Sequence, residues 1–338
     1  MAEIKDFIAR CLQLASFSLG KASPLPLVGW VLVNNHWQIV SEGWLPERPI
    51  LSNSVFYDNS TPQNSKGSYL FLNHPAGLPS EFAKLLQDHP IQQLFFAAKL
   101  VDADRKLLQQ AGISITDALA EEEEGFINRR WYTFTSRHRP YIILKWAETS
   151  DGFVARKNFD SKWISNPRSR QLVHKWRSEE DAILVGTNTA LYDNPRLNVR
   201  DWSGRNPLRI VIDKHLRLDN KLLLFDGSQP TLCYNYSLNQ KDKLTEWVQV
   251  DPSFDDLSFF GWLLHDLYQR NIQSLIIEGG SQLLHFLIAH QLWDEARAFV
   301  SPSVFGDGIA APKIHAKLLD ASSTIEQDQL NIYKNVNP

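Results

Sequence analysis

Six short runs in the second half of the chain are apolar almost without interruption: YIILKWA (141–147), DAILVG (181–186), LRIVID (208–213), TLCYN (231–235), SLIIEG (274–279) and ARAFVSP (296–302). A strand with one wet face alternates apolar and polar residues; strands lacking that alternation are buried on both faces. Between the runs lie PRSRQLVHKWR, LSFFGWLLHDLYQR and SQLLHFLIAH, whose apolar residues recur at helical spacing. Strand and helix in alternation predict an α/β fold with a largely parallel sheet covered on both sides. The first half repeats the theme, with strands in LVGWVLV, SYLFL and IQQLFFAA and helical patterns in SEFAKLLQ and DRKLLQQAG. The halves meet near EEEEGFINRRWYTFTSRHRP (121–140), where the glutamates read as a solvated helix end and SRHRP as an exposed connector ending at Pro140. There is no internal repeat and no low-complexity segment.

The chain has 338 residues, enough for two domains that each bury a core. A net charge of −3 leaves no electrostatic footprint for nucleic acid, though local arginines suit a small anionic substrate. Cys11 and Cys233 are the only cysteines, so neither a disulfide framework nor a CxxC metal site is available. Near the N-terminus Ile4, Phe7, Ile8, Cys11, Leu12 and Ala15 share one helical face, opposite Glu3, Lys5, Asp6 and Arg10. That is an amphipathic surface helix rather than a signal peptide, and no apolar run reaches membrane-spanning length. The expectation is a cytoplasmic protein without nucleic-acid or membrane partners.

Polar residues gather where the predicted strands end. QSLIIEGGSQLLHFLI (273–288) stops a buried run on Glu278, follows it with Gly279 and Gly280, and enters a helix at Ser281. Glycines there are often only turn chemistry. They also let backbone N–H groups approach an anion at the partly positive end of the next helix, as a phosphate or pyrophosphate requires. Lys145 interrupts an apolar strand, where a lysine is costly without a partner. Thr149 to Gly152 form a turn, Trp163 follows, and Arg170, His174 and Arg177 lie along one predicted helix. GTNT (186–189) and Asp193, Pro195 and Arg200 follow the next strand. Each has a bland reading as turn, core or solvated face. Together they sit at the carboxyl ends of strands, where open α/β sheets bind ligands. GxGxxG is absent, which disfavours an ordinary Rossmann site.

In this order the motifs RPYIILKWAETSDG, WISNPRSRQLVHKWR, DAILVGTNTALYDNPRLNVR, NPLRIVID, IIEGGSQLLHFL and WDEARAFVSPSVFGDG resemble the reductase domain of the bacterial riboflavin-biosynthesis deaminase/reductase, over nearly all of residues 139–312. The resemblance implies a dihydrofolate-reductase-like domain over 139–338. It implies NADPH as cofactor and 5-amino-6-(5-phospho-D-ribosylamino)uracil as substrate, reduced to the ribitylamino compound. Ala147, Trp163, Thr189, Asp193 and the segment Gly280, Ser281, Gln282, Leu283, Leu284, His285 and Phe286 fall where the family holds NADPH. Ser161, Arg177, Leu197, Arg200 and Glu278 fall where it holds substrate, and Lys145 matches a lysine lining the same site. On this reading Lys145, oriented by Glu278, donates the proton, and Arg177 and Arg200 neutralise the 5′-phosphate. Glu148 and Ser150 depart from the family pattern.

Residues 1–130 resemble the deaminase domain of the same protein, a cytidine-deaminase-like three-layer fold, through LGKASPLPLVGWVLV, VDADRKLLQQAGISIT and EEEEGFINRR. A zinc deaminase needs three His or Cys ligands and a proton-shuttling glutamate. Where the family has H-A-E-V this chain has Ser52, Asn53, Ser54 and Val55; where it has L-E-P-C, Leu72, Asn73, His74 and Pro75 stand instead. A lone His74 is more often a surface loop residue than a ligand, and His285 and His290 form no zinc motif. The expectation is a degenerate deaminase domain with no metal and no zinc.

Three other readings stay open: the full bifunctional enzyme, a related reductase acting on a pterin-like substrate, and a non-enzymatic binding protein. The sequence leaves the oligomeric state open; the resemblance implies a homo-oligomer associating through the reductase domain.

Overall fold

The computed structural model describes residues 2–45, 68–75, 91–110, 112–161, 164–314, 317–318 and 323–336. The chain divides into two compact units, Met1–Tyr132 and Thr133–Pro338.

In the first unit, helix α1 (Ala2–Ser16) precedes strands β1 (Gly29–Val33), β2 (Ile39–Trp44), β3 (Ser68–Leu72), β4 (Ile91–Phe96) and β5 (Ser114–Thr116), with helix α2 (Asp102–Gln110) between the last two. The sheet order is β2-β1-β3-β4-β5. Trp30 and Leu32 of β1 enter one core with Leu70, Leu72 and Phe96, whereas Val31 and Val33 enter a second with Phe71 and the α1 residues Ile8, Cys11 and Leu14. Both faces of β1 are therefore dry, which is why its sequence does not alternate. At Gly29 a Cβ would lie 2.1 Å from the Cys11 carbonyl oxygen, so only glycine lets α1 pack this closely. Segment 80–87 and residues Ser52 to Val55 lie outside the described residues.

Two sequence expectations change here. The glutamate run forms helix α3 (Glu121–Ile127), and Glu124 is buried rather than solvated, at 1% exposure. Its carboxylate accepts from Asn128 Nδ2 (2.7 Å) and the Tyr132 hydroxyl (2.8 Å). Burial pushes this carboxyl up from its ordinary value, against those two bonds. A single inward-facing position in an acidic stretch carries no periodicity signal. His74 is likewise no surface loop residue. It is buried, its ring 4.8 Å from that of Trp131 and 5.8 Å from that of Tyr132, and burial draws its pKa down to about 4.

Helix α4 (Arg129–Arg137) takes in Ser136 and Arg137, the first two residues of the expected connector SRHRP, and the unit boundary falls inside it. Arg139 is not exposed: its guanidinium donates to both oxygens of Asp294, at 2.6 and 2.8 Å. That ion pair spans 155 residues and is invisible to a local reading.

The second unit contains β6 (Tyr141–Thr149), β7 (Phe153–Ala155), α5 (Pro167–Glu179), β8 (Ala182–Gly186), α6 (Thr187–Asp193), β9 (Leu208–Ile212), β10 (Thr231–Asn235), β11 (Gln240–Asp242), β12 (Thr245–Gln249), α7 (Asp256–Gln269), β13 (Ser274–Glu278), α8 (Ser281–Ala289), β14 (Glu295–Ser301), β15 (Ile309–Ala310), β16 (Lys317–Leu318), β17 (Ser323–Ile325) and β18 (Asp328–Lys334). Its large sheet has the order β11-β12-β10-β9-β8-β13-β6-β14-β18-β16, with β17 also on β18. From β12 to β14 all neighbours are parallel; β18 returns antiparallel on β14. Ile142, Leu144, Leu275 and Ile277 face a core completed by Phe259, Phe260 and Leu263 of α7. Tyr141, Ile143, Ile183 and Ile276 face the other, with Val173 and Trp176 of α5 and Phe299 of β14. Helices thus cover both sheet faces. No helix among the described residues is long and apolar enough to cross a membrane.

Candidate active site at the carboxyl ends of the parallel strands

Because β13, β6 and β14 are parallel and in register, Glu278, Lys145 and Arg297 stand side by side across three strands. Helix α5 places Arg177 over the same face. Its Nε donates to Glu278 Oε1 and its Nη2 to Oε2, both at 2.8 Å, while Nη1 donates to the Asn198 carbonyl at 3.2 Å. Both side chains of the pair are about nine-tenths buried. Burial alone raises the Glu278 carboxyl, but the Arg177 charge and its two bonds outweigh it and hold the pKa down at about 2. Glu278 is therefore a fixed anion. Each Arg177 nitrogen donates once inside the protein, which leaves two of its five N–H groups for the phosphate expected there.

Lys145 differs. Among the described residues no carboxylate oxygen lies within 4 Å of its ammonium, which stands 5.9 Å from the centroid of the Phe299 ring. Glu278 acts on it through space, its two oxygens being held by Arg177. Burial pulls the Lys145 pKa down, Glu278 opposes this, and Arg177 adds to it. Arg297 joins the row from within the apolar run ARAFVSP, where a charged residue is the only local sign of it. Its Nε donates to Glu295 Oε1 at 2.6 Å, its guanidinium lies 4.6 Å from the Trp176 ring, and its buried Nη1 has no partner among the described residues.

One turn before Arg177, His174 is buried beside the 197–201 segment. Its Nδ1 accepts from the Arg200 backbone N–H at 3.4 Å and its Nε2 lies 3.2 Å from Asp201 Oδ2. Burial, with Arg177 and Arg200 nearby, draws its pKa down to about 4, so the neutral ring accepts at Nδ1 and donates at Nε2. Arg200 itself remains 55% exposed, with Asp201 at 3.7 Å and a bond from its Nη1 to Asn198 Oδ1 at 3.4 Å. The Leu197 side chain is buried in the core with Trp176 and Val173.

Gly279 and Gly280 both have φ near +76°, in the left-handed region. A Cβ on either would come within 3.3 Å of Thr189 on α6. Turn strain and close approach are therefore both present, and glycine satisfies both. Helices α5 and α7 are capped by Asn166 and Asp255, which accept from Ser169 and Ser258 N–H groups at 2.9 and 2.8 Å. Helix α8 begins at Gly280 with no side-chain cap, and the Ser281 hydroxyl is turned to the Ala310 carbonyl at 2.9 Å. The first N–H groups of a helix lie beyond its own ladder of carbonyl acceptors. Further along, Leu284 is buried and Phe286 packs against the core, whereas Gln282 and His285 are exposed. Ala147 is partly buried at the end of β6.

Beside this turn, Gly186, Thr187, Ile212 to His215, Arg217 and Leu283 line a cleft of about 230 Å3. The Asp213 carboxylate accepts from the Arg217 and Leu218 N–H groups at 3.1 and 2.9 Å, so the acid of the cleft is occupied in its own turn. Lys214, His215 and Arg217 went unnoticed in the sequence because they sit in a polar turn after β9 that resembles any other. Ser161 Oγ donates to Asp193 Oδ1 at 3.4 Å, linking two candidate ligand positions. Trp163 lies outside the described residues.

Residues 140–326 match the RibD C-terminal domain family. The riboflavin biosynthesis protein RibD of Actinobacillus pleuropneumoniae is 30% identical over 89% of this chain and 84% of its own. That of Aquifex aeolicus is 27% identical over 96% of this chain and 94% of its own. Among solved structures, a diaminohydroxyphosphoribosylaminopyrimidine deaminase/5-amino-6-(5-phosphoribosylamino)uracil reductase from Thermotoga maritima superposes with a TM-score of 0.86 at 25% identity, covering 98% of this chain and 99% of the other. Acinetobacter baumannii RibD gives 0.83 at 23% identity, a likeness of fold. The α/β architecture is that of RibD, with a dihydrofolate-reductase-like second unit. A match over more than half its length, together with relatives aligned nearly end to end, makes this chain a member of the RibD riboflavin-biosynthesis family.

Proposed function

We propose that the chain is an NADPH-dependent reductase of 5-amino-6-(5-phospho-D-ribosylamino)uracil whose first unit no longer deaminates. The observation that carries this reading is Lys145, a half-buried lysine without a carboxylate partner among the described residues, beside a carboxylate that Arg177 keeps ionised. A cation at the strand ends, its proton loosened by desolvation, is suited to supplying a proton to developing negative charge.

The residues present fit the cofactor. The uncapped α8 N-terminus with Gly280 and Ser281 suits its pyrophosphate, and Thr189, Asp193 and Ala147 border the same turn or strand end. Arg217 and Lys214 in the adjoining cleft, the latter paired with Asp256, favour the additional phosphate of NADPH over NADH. Bound there, NADPH supplies the hydride for C1′ of the opened ribosyl unit. Lys145 donates the proton that the adjacent nitrogen or oxygen then requires. Arg200, exposed and loosely paired, binds the 5′-phosphate, Ser161 adds a hydroxyl, and the Leu197 backbone closes that side. Glu278 and Arg177 set the field around Lys145.

For the first unit, the sequence supports loss of deamination. Ser52 and Ser54 stand where the family has a metal ligand and the proton-shuttling glutamate, and no cysteine lies between Cys11 and Cys233. One experiment tests the whole reading. NADPH oxidation is followed with the phosphoribosylaminouracil, beside ammonia release from the aminopyrimidine precursor and zinc analysis. Oxidation without ammonia or zinc is expected. Oxidation only with a dihydropterin transfers the activity to that substrate class, and ammonia release restores the bifunctional enzyme.

A further inference from the structure

Phe159 closes a turn at the rim of the site. Its N–H donates to the Arg156 carbonyl and the Arg156 N–H donates to the Asp160 carbonyl, both at 2.9 Å. Its φ is +68°, in the left-handed region that a residue completing such a turn adopts and that glycine or asparagine ordinarily fills. A bulky side chain there is strained. Burial does not compensate, since the residue is 39% exposed. Its partner is Tyr192 on α6, itself 55% exposed, with ring centroids 4.3 Å apart and planes 4° from parallel. Two exposed rings stacked on a strained backbone form a contact made for the contact itself.

The stack joins two pieces of the proposed site. Two residues beyond Phe159, Ser161 reaches Asp193, the residue after Tyr192. On its other side the turn is tied by the Arg156 guanidinium, 4.1 Å from the Phe305 ring, and by an ion pair between Lys157 and Asp307. The turn thus bridges the 305–307 segment and α6. Ser161 belongs to the substrate positions, and Thr189 and Asp193 to the cofactor positions.

We propose that the Phe159–Tyr192 stack is a positioning clasp, which holds the 156–161 turn on α6 so that Ser161 meets the substrate at a set distance from the cofactor. The proposal rests on the reductase reading given above. Neither ring is a catalytic residue; both act through Ser161.

The test uses the intact chain and the variants Tyr192→Ala, Tyr192→Phe and Phe159→Gly. Tyr192→Ala leaves the turn covalently untouched, and Phe159→Gly removes the ring while keeping the backbone conformation accessible. Hydrogen exchange of amides 156–161 in the ligand-free chain is expected to quicken about threefold to tenfold in Tyr192→Ala. Tyr192→Phe, which keeps the stack, should match the parent. In turnover, Tyr192→Ala and Phe159→Gly should raise KM for the phosphoribosylaminouracil with kcat and the NADPH Kd unchanged. Phe159→Gly should also melt no lower than the parent, because it relieves the strained φ. Unchanged exchange in Tyr192→Ala overturns the clasp, as does quickened exchange with an unmoved KM in an active enzyme. Quickened exchange in a parent chain that does not turn over this substrate keeps the clasp and overturns the substrate instead.

Discussion

Arg177 and Glu278 meet through two parallel bonds of 2.8 Å across 101 residues of sequence, and the pair is buried. Removing one member of such a pair strands the other charge out of water, at a cost of roughly 3–5 kcal/mol. Arg177→Met should therefore lower unfolding stability by about that much, measured by denaturant titration, besides impairing turnover. A purely kinetic effect through KM would assign Arg177 to the phosphate.

The same pair fixes a pH dependence. Glu278 has a folded pKa of about 2, below its ordinary 4.5. Between those values the unfolded chain binds the proton and the folded chain does not, so stability rises with pH. The contribution is complete above about pH 4.5 and lost as pH falls toward 2. Stability measured across that window should slope more steeply in the parent than in Arg177→Met.

For Lys145 the sign concerns a cation. Burial lowers its folded pKa below the ordinary 10.5, so over the interval between them the unfolded chain again holds the extra proton. Stability from this group rises with pH there, and at neutral pH the half-buried ammonium costs stability. Lys145→Met should melt higher than the parent near pH 7, with the gap narrowing toward pH 10. It should bind NADPH as before and lose most turnover. Retained kcat would remove Lys145 from the proton-donor role.

Gly280→Ala places a Cβ 3.3 Å from Thr189 Oγ1 at φ +76°. The strained backbone should cost about 1–3 kcal/mol in a thermal melt, and fluorescence titration should find NADPH affinity reduced as well. Weakened folding with cofactor affinity intact would leave Gly280 as turn chemistry alone.

Arg200→Ala removes an exposed side chain with no close ion pair, so the melting temperature should hold. Its loss should raise KM roughly tenfold or more for the phosphorylated substrate, as charge-assisted bonds are withdrawn. Equal losses for substrate with and without its phosphate would assign the residue another task.

The first unit is expected to carry no stoichiometric zinc. Hydroxyls at Ser52 and Ser54 replace a ligand and the proton shuttle, and a catalytic zinc requires three protein ligands. Elemental analysis of the purified chain checks this. About one tightly held zinc per chain, with ammonia released from the precursor, would reverse the assignment.

The parallel strands β6, β8, β9, β10, β13 and β14 were legible because burial on both faces writes itself into consecutive residues, as in SLIIE of β13, whereas the half-exposed TEWVQ of β12 carries no such mark. The candidate site was marked too: Glu278, Gly279 and Gly280 break a buried run, and few physical reasons justify that. Strands β17 and β18 escaped because STI and DQLNIYK are partly exposed and polar, and pair antiparallel at the far side of the sheet. What the residues do to one another was decided only by the tertiary structure. Register sets Glu278 and Arg297 beside Lys145, and the packing of α5 delivers Arg177 to Glu278. A local pattern records how a residue relates to its neighbours in sequence. Partner choice among buried charges depends on distances across strands and helices, and the energy of each ion pair is settled there.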